Sequence, residues 1–248
     1  MSDCAPCQRP LFTKALCAGA NGGLINAAQW LMPENERETE TLSVDEIADA
    51  LSPYLTKPLL AGQLASIARY LALLKKWNQT IPLTSIEEDS QLLSWHFGES
   101  IFAGSLLSIE RGRLADVGSG AGFPGLPLKI AFPELEVALI EPNSKKCAFL
   151  REIQAVLGLS GVEIVRGRYE DLSVAPASFD FVCSRALGGY RRLLQWSRVA
   201  LKPKGHVVLW LGMEDSTLLS RTKGWNWQLP VKIPESRRRV LLLGRPFS

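Results

Sequence analysis

Glycines separate two apolar runs in the segment "LADVGSGAGFPGLPLKIAFPELEVALIEP", residues 114–142. Gly118, Gly120 and Gly122 let the backbone turn sharply and approach a ligand, because they carry no Cβ. The helix expected after them presents free N–H groups and the positive end of its dipole. In an open α/β sheet, ligands bind where a strand runs into such a loop. The segment therefore predicts an α/β domain with a ligand site at the glycines.

Beyond Arg113 the chain alternates between short apolar runs and helix-like patterns. The apolar runs that we interpret as strands are 113–117, 136–141, 162–166, 179–183 and 206–211. Residues 145–157 are typical of a helix, and Gly158 stands where a C-cap glycine is common. The predicted apolar face of this helix comprises Phe149, Leu150, Ile153, Val156 and Leu157. Strands that alternate with helices predict right-handed βαβ units and a parallel sheet.

Two features near the C-terminus predict how the sheet is completed. The tetrapeptide "KPKG" at 202–205 is interpreted as a turn that feeds the strand "HVVLWL". The stretches "WNWQLPVKI" and "RRRVLLLG" resemble a closing antiparallel pair.

A helical block precedes the glycine loop. Ser43 and Glu46 have the spacing of a capping box, which predicts a helix through about Leu51. A second, amphipathic helix is predicted to end near Trp77, with an apolar face of Leu60, Leu64, Ile67, Leu71 and Leu74. "IPLTSI" is interpreted as a loop, and "SQLLSWHFGESIFAGSLL" as a further helix. We thus predict a poorly ordered extension over 1–40, a helical cap over 41–110 and the ligand-binding domain over 111–248.

Composition limits the class of protein. With 46% hydrophobic and 21% charged residues the chain is typical of a soluble globular protein, and no apolar run is long enough to span a membrane. The N-terminus lacks the pattern of a secretory signal, and five irregularly spaced cysteines favour a reducing compartment, so we expect a cytoplasmic protein. Cys4 and Cys7 have no second pair, so no metal site is expected. A basic tract over 221–245 favours a partner rich in negative charge.

The glycine loop leaves more than one ligand open. "GAGFPG" at 120–125 matches the dinucleotide fingerprint G-x-G-x-x-G. Asp116, which precedes the first glycine, would favour the ammonium group of S-adenosylmethionine and oppose a pyrophosphate. Glu141 at the end of the next apolar run suits the ribose diol of either ligand, whereas Pro124 and Pro127 shorten the helix that a pyrophosphate prefers. S-adenosylmethionine is therefore favoured, with a dinucleotide or a purely structural turn as the alternatives.

Several stretches together resemble one known family. They are "KKWNQTIPLTSI", "HFGES", "LADVGSGAGFPGLPLKI", "LIEPNSKKCAFLREI", "RGRYEDL", "FDFVCSRAL" and "LKPKGHVVLWLG". Over about 42–245 the chain resembles the RsmG (GidB) family of 16S rRNA guanine-N7 methyltransferases. The resemblance implies a class I, Rossmann-like methyltransferase fold: a central, mostly parallel seven-stranded sheet with helices on both faces and an N-terminal helical cap. It also implies S-adenosylmethionine as cofactor, a role in rRNA processing, and 16S rRNA, the 30S subunit or an assembly intermediate as partner of a monomer.

The resemblance also carries residue roles. The implied cofactor-binding residues are Asp116, Gly118, Ser119, Gly120, Gly122, Phe123, Glu141, Tyr169, Glu170 and Arg185. Arg168 and Arg185 are implied to position the substrate at the mouth of the site. The predicted RNA-binding residues are Lys145, Lys146, Arg191, Arg192 and Arg238. The resemblance implies a late arginine before the last strand, assigned to Arg238 with Arg237 and Arg239 as the alternatives in register. Arg191 and Arg192 open a helix, where the dipole disfavours cations, which favours a role facing phosphate. The chain departs from the family pattern at Pro82, Trp95, Glu99 and Leu211, and three of these departures (Pro82, Trp95 and Leu211) leave a catalytically silent rRNA-binding relative as an alternative.

The implied chemistry needs few catalytic groups. Guanine N7 offers a lone pair and carries no proton, so no general base is expected. His96 is interpreted as a structural histidine that packs the cap onto the loop, and Cys147 and Cys183 as core residues. Trp77, Trp95 and Tyr169 could stack on RNA bases, but tryptophans at helical spacing are interpreted as core.

Overall fold

The computed structural model describes residues 12–13, 42–185 and 188–247. Most of the predicted extension, including Cys4 and Cys7, therefore lies outside the described residues. Its two described residues form β1 (Phe12–Thr13), which pairs antiparallel with a short strand, β5 (Ser173–Val174).

A single large sheet organises the remaining strands. They are β2 (Arg111–Val117), β3 (Glu134–Glu141), β4 (Val162–Arg166), β6 (Phe179–Arg185), β7 (Leu201–Gly212), β8 (Trp225–Trp227), β9 (Val231–Lys232) and β10 (Arg239–Pro246). Their order is β4-β3-β2-β6-β7-β10-β8, and β9 also pairs with β10. The first five strands are parallel and β10 is antiparallel to its neighbours. β8 and β9 pair with successive parts of β10 and so share one position in the sheet. The eight strands therefore occupy seven positions, the number predicted.

Helices precede the sheet and alternate with its strands. They are α1 (Val44–Leu51), α2 (Ala61–Asn78), α3 (Asp89–Gln91), α4 (Glu99–Leu106), α5 (Gly125–Ala131), α6 (Ser144–Leu157), α7 (Tyr190–Ala200) and α8 (Met213–Leu219). A π-helical stretch (Leu92–Gly98) joins α3 to α4, and 3-10 turns occur at Ser52–Tyr54 and Tyr169–Asp171. The π-helical stretch was not predicted from the sequence.

The two faces of the sheet bury separate apolar clusters, because side chains alternate along each strand. In β10, Leu241 and Leu243 belong to the cluster that contains α1, α2, α4, α5 and α6. Val240 and Leu242 point to the opposite face and pack with α7. The cap helices therefore share one core with the sheet. The division into a cap (41–110) and a ligand-binding domain (111–248) stays a prediction.

The first two helices of the cap follow the predicted pattern except at Leu60. The Ser43 side chain accepts from the Glu46 N–H and Glu46 accepts from the Ser43 N–H, which confirms the predicted capping box. Leu64, Ile67, Leu71 and Leu74 of α2 are buried as predicted. Leu60 is exposed instead, because it is the N-cap residue and lies before the first helical turn.

Two local predictions were wrong. The "KPKG" segment is part of β7 and forms a bulge, since Phe179 pairs with Leu201 whereas Phe181 pairs with His206. The Lys202 ammonium lies 2.7 Å from Asp180 Oδ2 on the neighbouring strand, which holds the bulged segment at the sheet. Val156 of α6 is exposed, because it lies at the margin of the helix face formed by Leu150, Ile153 and Leu157, which pack in the core. The other predicted core residues of this helix are buried or half-buried.

Candidate active site

The glycine loop follows β2 and takes three left-handed backbone turns. The φ angles are 75° at Gly118, 57° at Gly120 and 92° at Gly122, a region that L side chains rarely adopt. A Cβ on Gly122 would lie 2.5 Å from the Tyr70 hydroxyl oxygen, so the cap excludes any larger residue there. A Cβ on Gly120 would meet only the Gly118 carbonyl oxygen, at 3.9 Å. Gly120 therefore faces open space, as a glycine beside a ligand should.

Asp116 is fully buried at the end of β2. Its Oδ2 accepts from the Gly125 N–H at 2.9 Å and so ties the start of α5 to the sheet. Its Oδ1 has no hydrogen-bond partner among the described residues. Burial raises the pKa of Asp116 to about 7, although the Gly125 N–H and Arg185 favour the ionised form. The side chain thus has one structural oxygen and one that is free to receive a donor.

Glu141 closes β3 and holds the glycine loop. Its Oε2 accepts from the Gly120 N–H at 2.9 Å, and its Oε1 accepts from the Asn143 N–H at 2.8 Å. Each carboxylate oxygen can accept more than one hydrogen bond. Glu141 can therefore support the loop and still accept hydroxyl groups of a bound ligand.

The cap contacts the loop through stacked rings. Phe123 lies parallel to Tyr70, with 5.4 Å between ring centroids, and is stacked on His96 at 4.6 Å. The Tyr70 hydroxyl donates to the Ala121 carbonyl, and His96 Nε2 lies 2.8 Å from Thr84 Oγ1. Burial, together with the nearby charges of Arg185 and Arg239, lowers the pKa of His96 to about 3. The predicted packing role of His96 is therefore confirmed.

Arg185 joins the last residue of β6 to the π-helical stretch of the cap. Its Nη2 donates to the Trp95 carbonyl at 2.8 Å, and its Nη1 donates to the His96 carbonyl at 3.3 Å and to Ser100 Oγ at 3.1 Å. Only 12% of its side chain is exposed. Burial lowers the pKa of Arg185 to about 10, against the opposing effect of Glu99. π-Helical segments often occur at functional sites, and here one presents carbonyls to a buried guanidinium.

Glu99 is a fully buried carboxylate between two arginines. Its Oε1 lies 3.0 Å from Arg239 Nε, and its Oε2 lies 3.6 Å from Arg185 Nη2. Neither oxygen has a hydrogen bond of regular geometry among the described residues, so the contacts are ion pairs. Burial raises the pKa of Glu99, while both arginines lower it. The cluster links the cap to β6 and β10 at the edge of the sheet that carries the glycine loop.

Arg238, which is predicted to bind RNA, and its neighbour Arg239 have different surroundings. Arg238 is exposed, whereas Arg239 pairs with Glu99, and its guanidinium carbon lies 4.9 Å from the Trp95 ring centroid. The alternation of side chains along β10 could have identified Arg239 from the sequence. Residues two apart in a strand lie on the same face, so Arg239 lies on the same face as Leu241 and Leu243, which face the cap. The interpretation of Trp95 as core was wrong, since 39% of the residue is exposed. Trp77 is half-buried and packs on Phe149.

The other predicted site residues lie around this centre. Tyr169 is buried in the 3-10 turn after β4 and packs edge-on against Trp196, and burial raises its pKa to about 12. Ser119 is buried and donates from Oγ to the Asp116 carbonyl. The predicted residues that are exposed are Arg168, Glu170, Lys145, Arg191 and Arg192. Lys146 is half-buried, and with Lys145 it lines a cleft of about 510 Å³ between α6 and the loop at Thr80, Ile81 and Pro82.

Cys147 and Cys183 are both buried, and burial raises the pKa of each thiol. They are therefore poor nucleophiles, in keeping with their predicted place in the core. In the part of the chain that the structure describes, no cluster of histidine, cysteine or acidic side chains could hold a metal ion. The described helices include none that is both long and apolar enough to cross a membrane.

Comparison with known proteins agrees with this geometry. The family description "rRNA small subunit methyltransferase G" matches residues 63–226. Ribosomal RNA small subunit methyltransferase G of Chromobacterium violaceum is 37% identical over 199 residues, which cover 78% of this chain and 93% of the relative. The protein of the same name from Roseiflexus castenholzii is 40% identical over 192 residues, covering 73% and 82%.

Solved structures share the fold at low sequence identity. A SAM-dependent methyltransferase from Aquifex aeolicus has a TM-score of 0.54 at 15% identity and covers 71% of this chain and 98% of its own. The PH0226 protein from Pyrococcus horikoshii has a TM-score of 0.53 at 15% identity and covers 69% and 99%. These similarities confirm the predicted α/β architecture with its mostly parallel sheet.

Proposed function

This chain belongs to the rRNA small subunit methyltransferase G family, and from that premise we propose that it transfers a methyl group from S-adenosylmethionine to N7 of a guanine in 16S rRNA. The observation that carries the proposal is the loop after β2, where Gly120 faces open space beside two acids, Asp116 and Glu141. The family disfavours the dinucleotide alternative, which rested on the glycine spacing alone.

The residues present fit S-adenosylmethionine. The buried Oδ1 of Asp116 is free to accept from the ammonium group, and Glu141 can accept from the ribose hydroxyls. Further contacts are proposed for Gly118, Ser119, Gly120, Gly122, Phe123, Tyr169, Glu170 and Arg185. The cofactor supplies an electrophilic methyl group on a sulfonium. Asp116 is suited to its methionine end, because a buried carboxylate interacts strongly with a cation.

The protein groups around the loop suit an acceptor with its own lone pair. Guanine N7 needs no deprotonation, so positioning of the base is the main requirement. His96 is held neutral by a pKa of about 3 and is occupied by stacking on Phe123, which makes it a poor base at neutral pH. The described thiols are buried, so they offer no nucleophile for covalent activation of a base carbon.

Arg185 would act chiefly by fixing the cap above the site. Its Nη atoms donate to the Trp95 and His96 carbonyls and to Ser100, and the side chain is largely buried. Arg168 is exposed and is free to contact phosphate or guanine O6. Neither arginine should donate to N7 itself, because that bond would occupy the attacking lone pair.

The proposed RNA contacts are cationic and accessible. Lys145, Arg191, Arg192 and Arg238 are exposed and Lys146 is half-buried, as phosphate ligands require. We propose that they position the small subunit or its assembly intermediate in the cytoplasm. A monomer stays the predicted oligomeric state.

One experiment tests the activity and its position. The purified protein is incubated with tritiated S-adenosylmethionine and small subunits from a strain that lacks it. Borohydride reduction followed by aniline cleaves RNA at N7-methylguanosine, so labelled RNA should break at one position. Label without cleavage would indicate that the methyl group is transferred to an atom other than guanine N7. Binding of RNA without label would indicate a catalytically silent relative.

A further inference from the structure

Trp95 is a large aromatic side chain on the surface of the cap. It lies in the π-helical stretch of the cap and is 39% exposed. Its carbonyl accepts from Arg185 at 2.8 Å, so its backbone is fixed to the end of β6. By comparison, Trp225 on β8 is only 5% exposed, as a tryptophan that serves the core usually is.

A second planar group is held against the indole. The Arg239 guanidinium carbon lies 4.9 Å from the Trp95 ring centroid. The same guanidinium is fixed by its Nε, which lies 3.0 Å from the buried Glu99 carboxylate, and 33% of the Arg239 side chain is exposed. The Trp95 backbone is therefore held by Arg185 and the Arg239 guanidinium by the buried Glu99, and both side chains still reach solvent at the edge of the sheet where the glycine loop lies.

The chemistry of this pair indicates its occupant. An indole binds flat aromatic groups by stacking, and a guanidinium adds stacking, hydrogen bonds to carbonyl oxygens and attraction for phosphate. Proteins read unpaired RNA bases in this way, on aromatic rings and arginine planes. We propose that Trp95 and Arg239 form a stacking subsite for an unpaired base of the RNA substrate. The identity of that RNA rests on the proposed function, whereas the subsite itself is tested by binding alone.

The test measures RNA affinity for a graded series at Trp95. Undermethylated 16S rRNA is titrated with the intact protein and with Trp95→Phe, Trp95→Leu and Trp95→Ala. Loss of one stacked base should weaken binding about 5- to 150-fold in Trp95→Ala. Trp95→Leu should be similarly weak, because leucine is apolar but not planar, whereas Trp95→Phe should retain most of the affinity.

Two further readouts separate stacking from a structural role. Stacking involves no phosphate, so the slope of log affinity against log salt should stay unchanged in Trp95→Leu. Affinity for S-adenosylmethionine should also stay unchanged in all variants. Phe247→Leu is the matched control, because Phe247 is 62% exposed and follows the opposite end of β10. That variant should bind RNA as the parent does.

Equal RNA affinity of the phenylalanine and leucine variants would overturn the proposal, as would unchanged affinity of Trp95→Ala. Failure of the intact protein to bind 16S rRNA would overturn it too. If the Trp95 series behaves as expected but the intact protein transfers no methyl group, the stacking subsite stands and the proposed methyltransferase activity fails. The two proposals therefore fail by different observations.

Discussion

The Gly120 N–H donates to Oε2 of Glu141 across 2.9 Å, and this bond joins the loop after β2 to the end of β3. Oε1 of the same carboxylate accepts from the Asn143 N–H, just before α6 begins. One acid thus holds together the two loops that would enclose the cofactor. The sequence predicts Glu141 as a ribose ligand, and the structure adds that it also supports the glycine loop.

Glu141→Gln should weaken both cofactor binding and the fold. The amide keeps one acceptor oxygen, but its NH₂ group would face a backbone N–H and leave that donor unpaired, at a cost of about 1–3 kcal/mol. The free energy of unfolding in urea and the dissociation constant for S-adenosylmethionine measure the two effects. Glu136→Gln on the same strand is the control, because its half-exposed ion pair with Arg113 should contribute at most about 1 kcal/mol. Equal losses in both variants would contradict a special role for Glu141.

Gly120→Asp should abolish S-adenosylmethionine binding while leaving the protein folded. Its φ of 57° costs an L residue roughly 1–2 kcal/mol, and the new carboxylate would enter the open space at the loop. Gly158→Asp is a close control, since Gly158 has a φ of 61° and also faces open space, but at the end of α6. Calorimetry should show similar stability for both variants and binding only in the control. Normal S-adenosylmethionine binding by Gly120→Asp would contradict the proposed location of the cofactor at the glycine loop.

Asp116 should make the cofactor-free protein less stable as pH rises. Its pKa is raised from 3.8 to about 7, so between these values the native state holds a proton that the unfolded state has lost. Stability therefore decreases as pH rises from about 4 to about 7 and is fully reduced above that range. Thermal unfolding of Asp116→Asn should lack this component. S-adenosylmethionine should also reduce the slope, because a bound ammonium favours the ionised carboxylate. If the stability of the unsubstituted protein and of Asp116→Asn changed equally with pH, the buried, protonated state of Asp116 would be contradicted.

Arg239→Gln should destabilise the protein by about 1–3 kcal/mol, because it removes one partner of a buried carboxylate while Arg185 remains beside Glu99. Arg238→Gln should change stability by no more than about 0.5 kcal/mol, since the side chain is exposed. Chemical denaturation of the two variants measures the difference. A larger loss at position 238 than at 239 would contradict the observed register of β10.

Most of the fold could be predicted because its signals are local. Apolar runs predict β2, β3, β4, β6 and β7, and the capping box of Ser43 and Glu46 marks the start of α1. Their boundaries shift where a contact distant in sequence intervenes. The "KPKG" segment lies in β7 as a bulge beside Asp180, although its residues are typical of a turn.

The glycine loop and its flanking acids could be identified from the sequence alone, because a sharp turn needs glycine and these residues are close in the chain. Tertiary packing was needed to place the face of β10 that carries Arg239 against Glu99, to leave Trp95 exposed and to bring Arg185 to the cap carbonyls. The Arg239–Glu99 ion pair and the Arg185–Trp95 hydrogen bond join segments about 90 or more residues apart. Such pairings depend on how the cap helices pack over the sheet edge, and no local preference of the backbone encodes that packing.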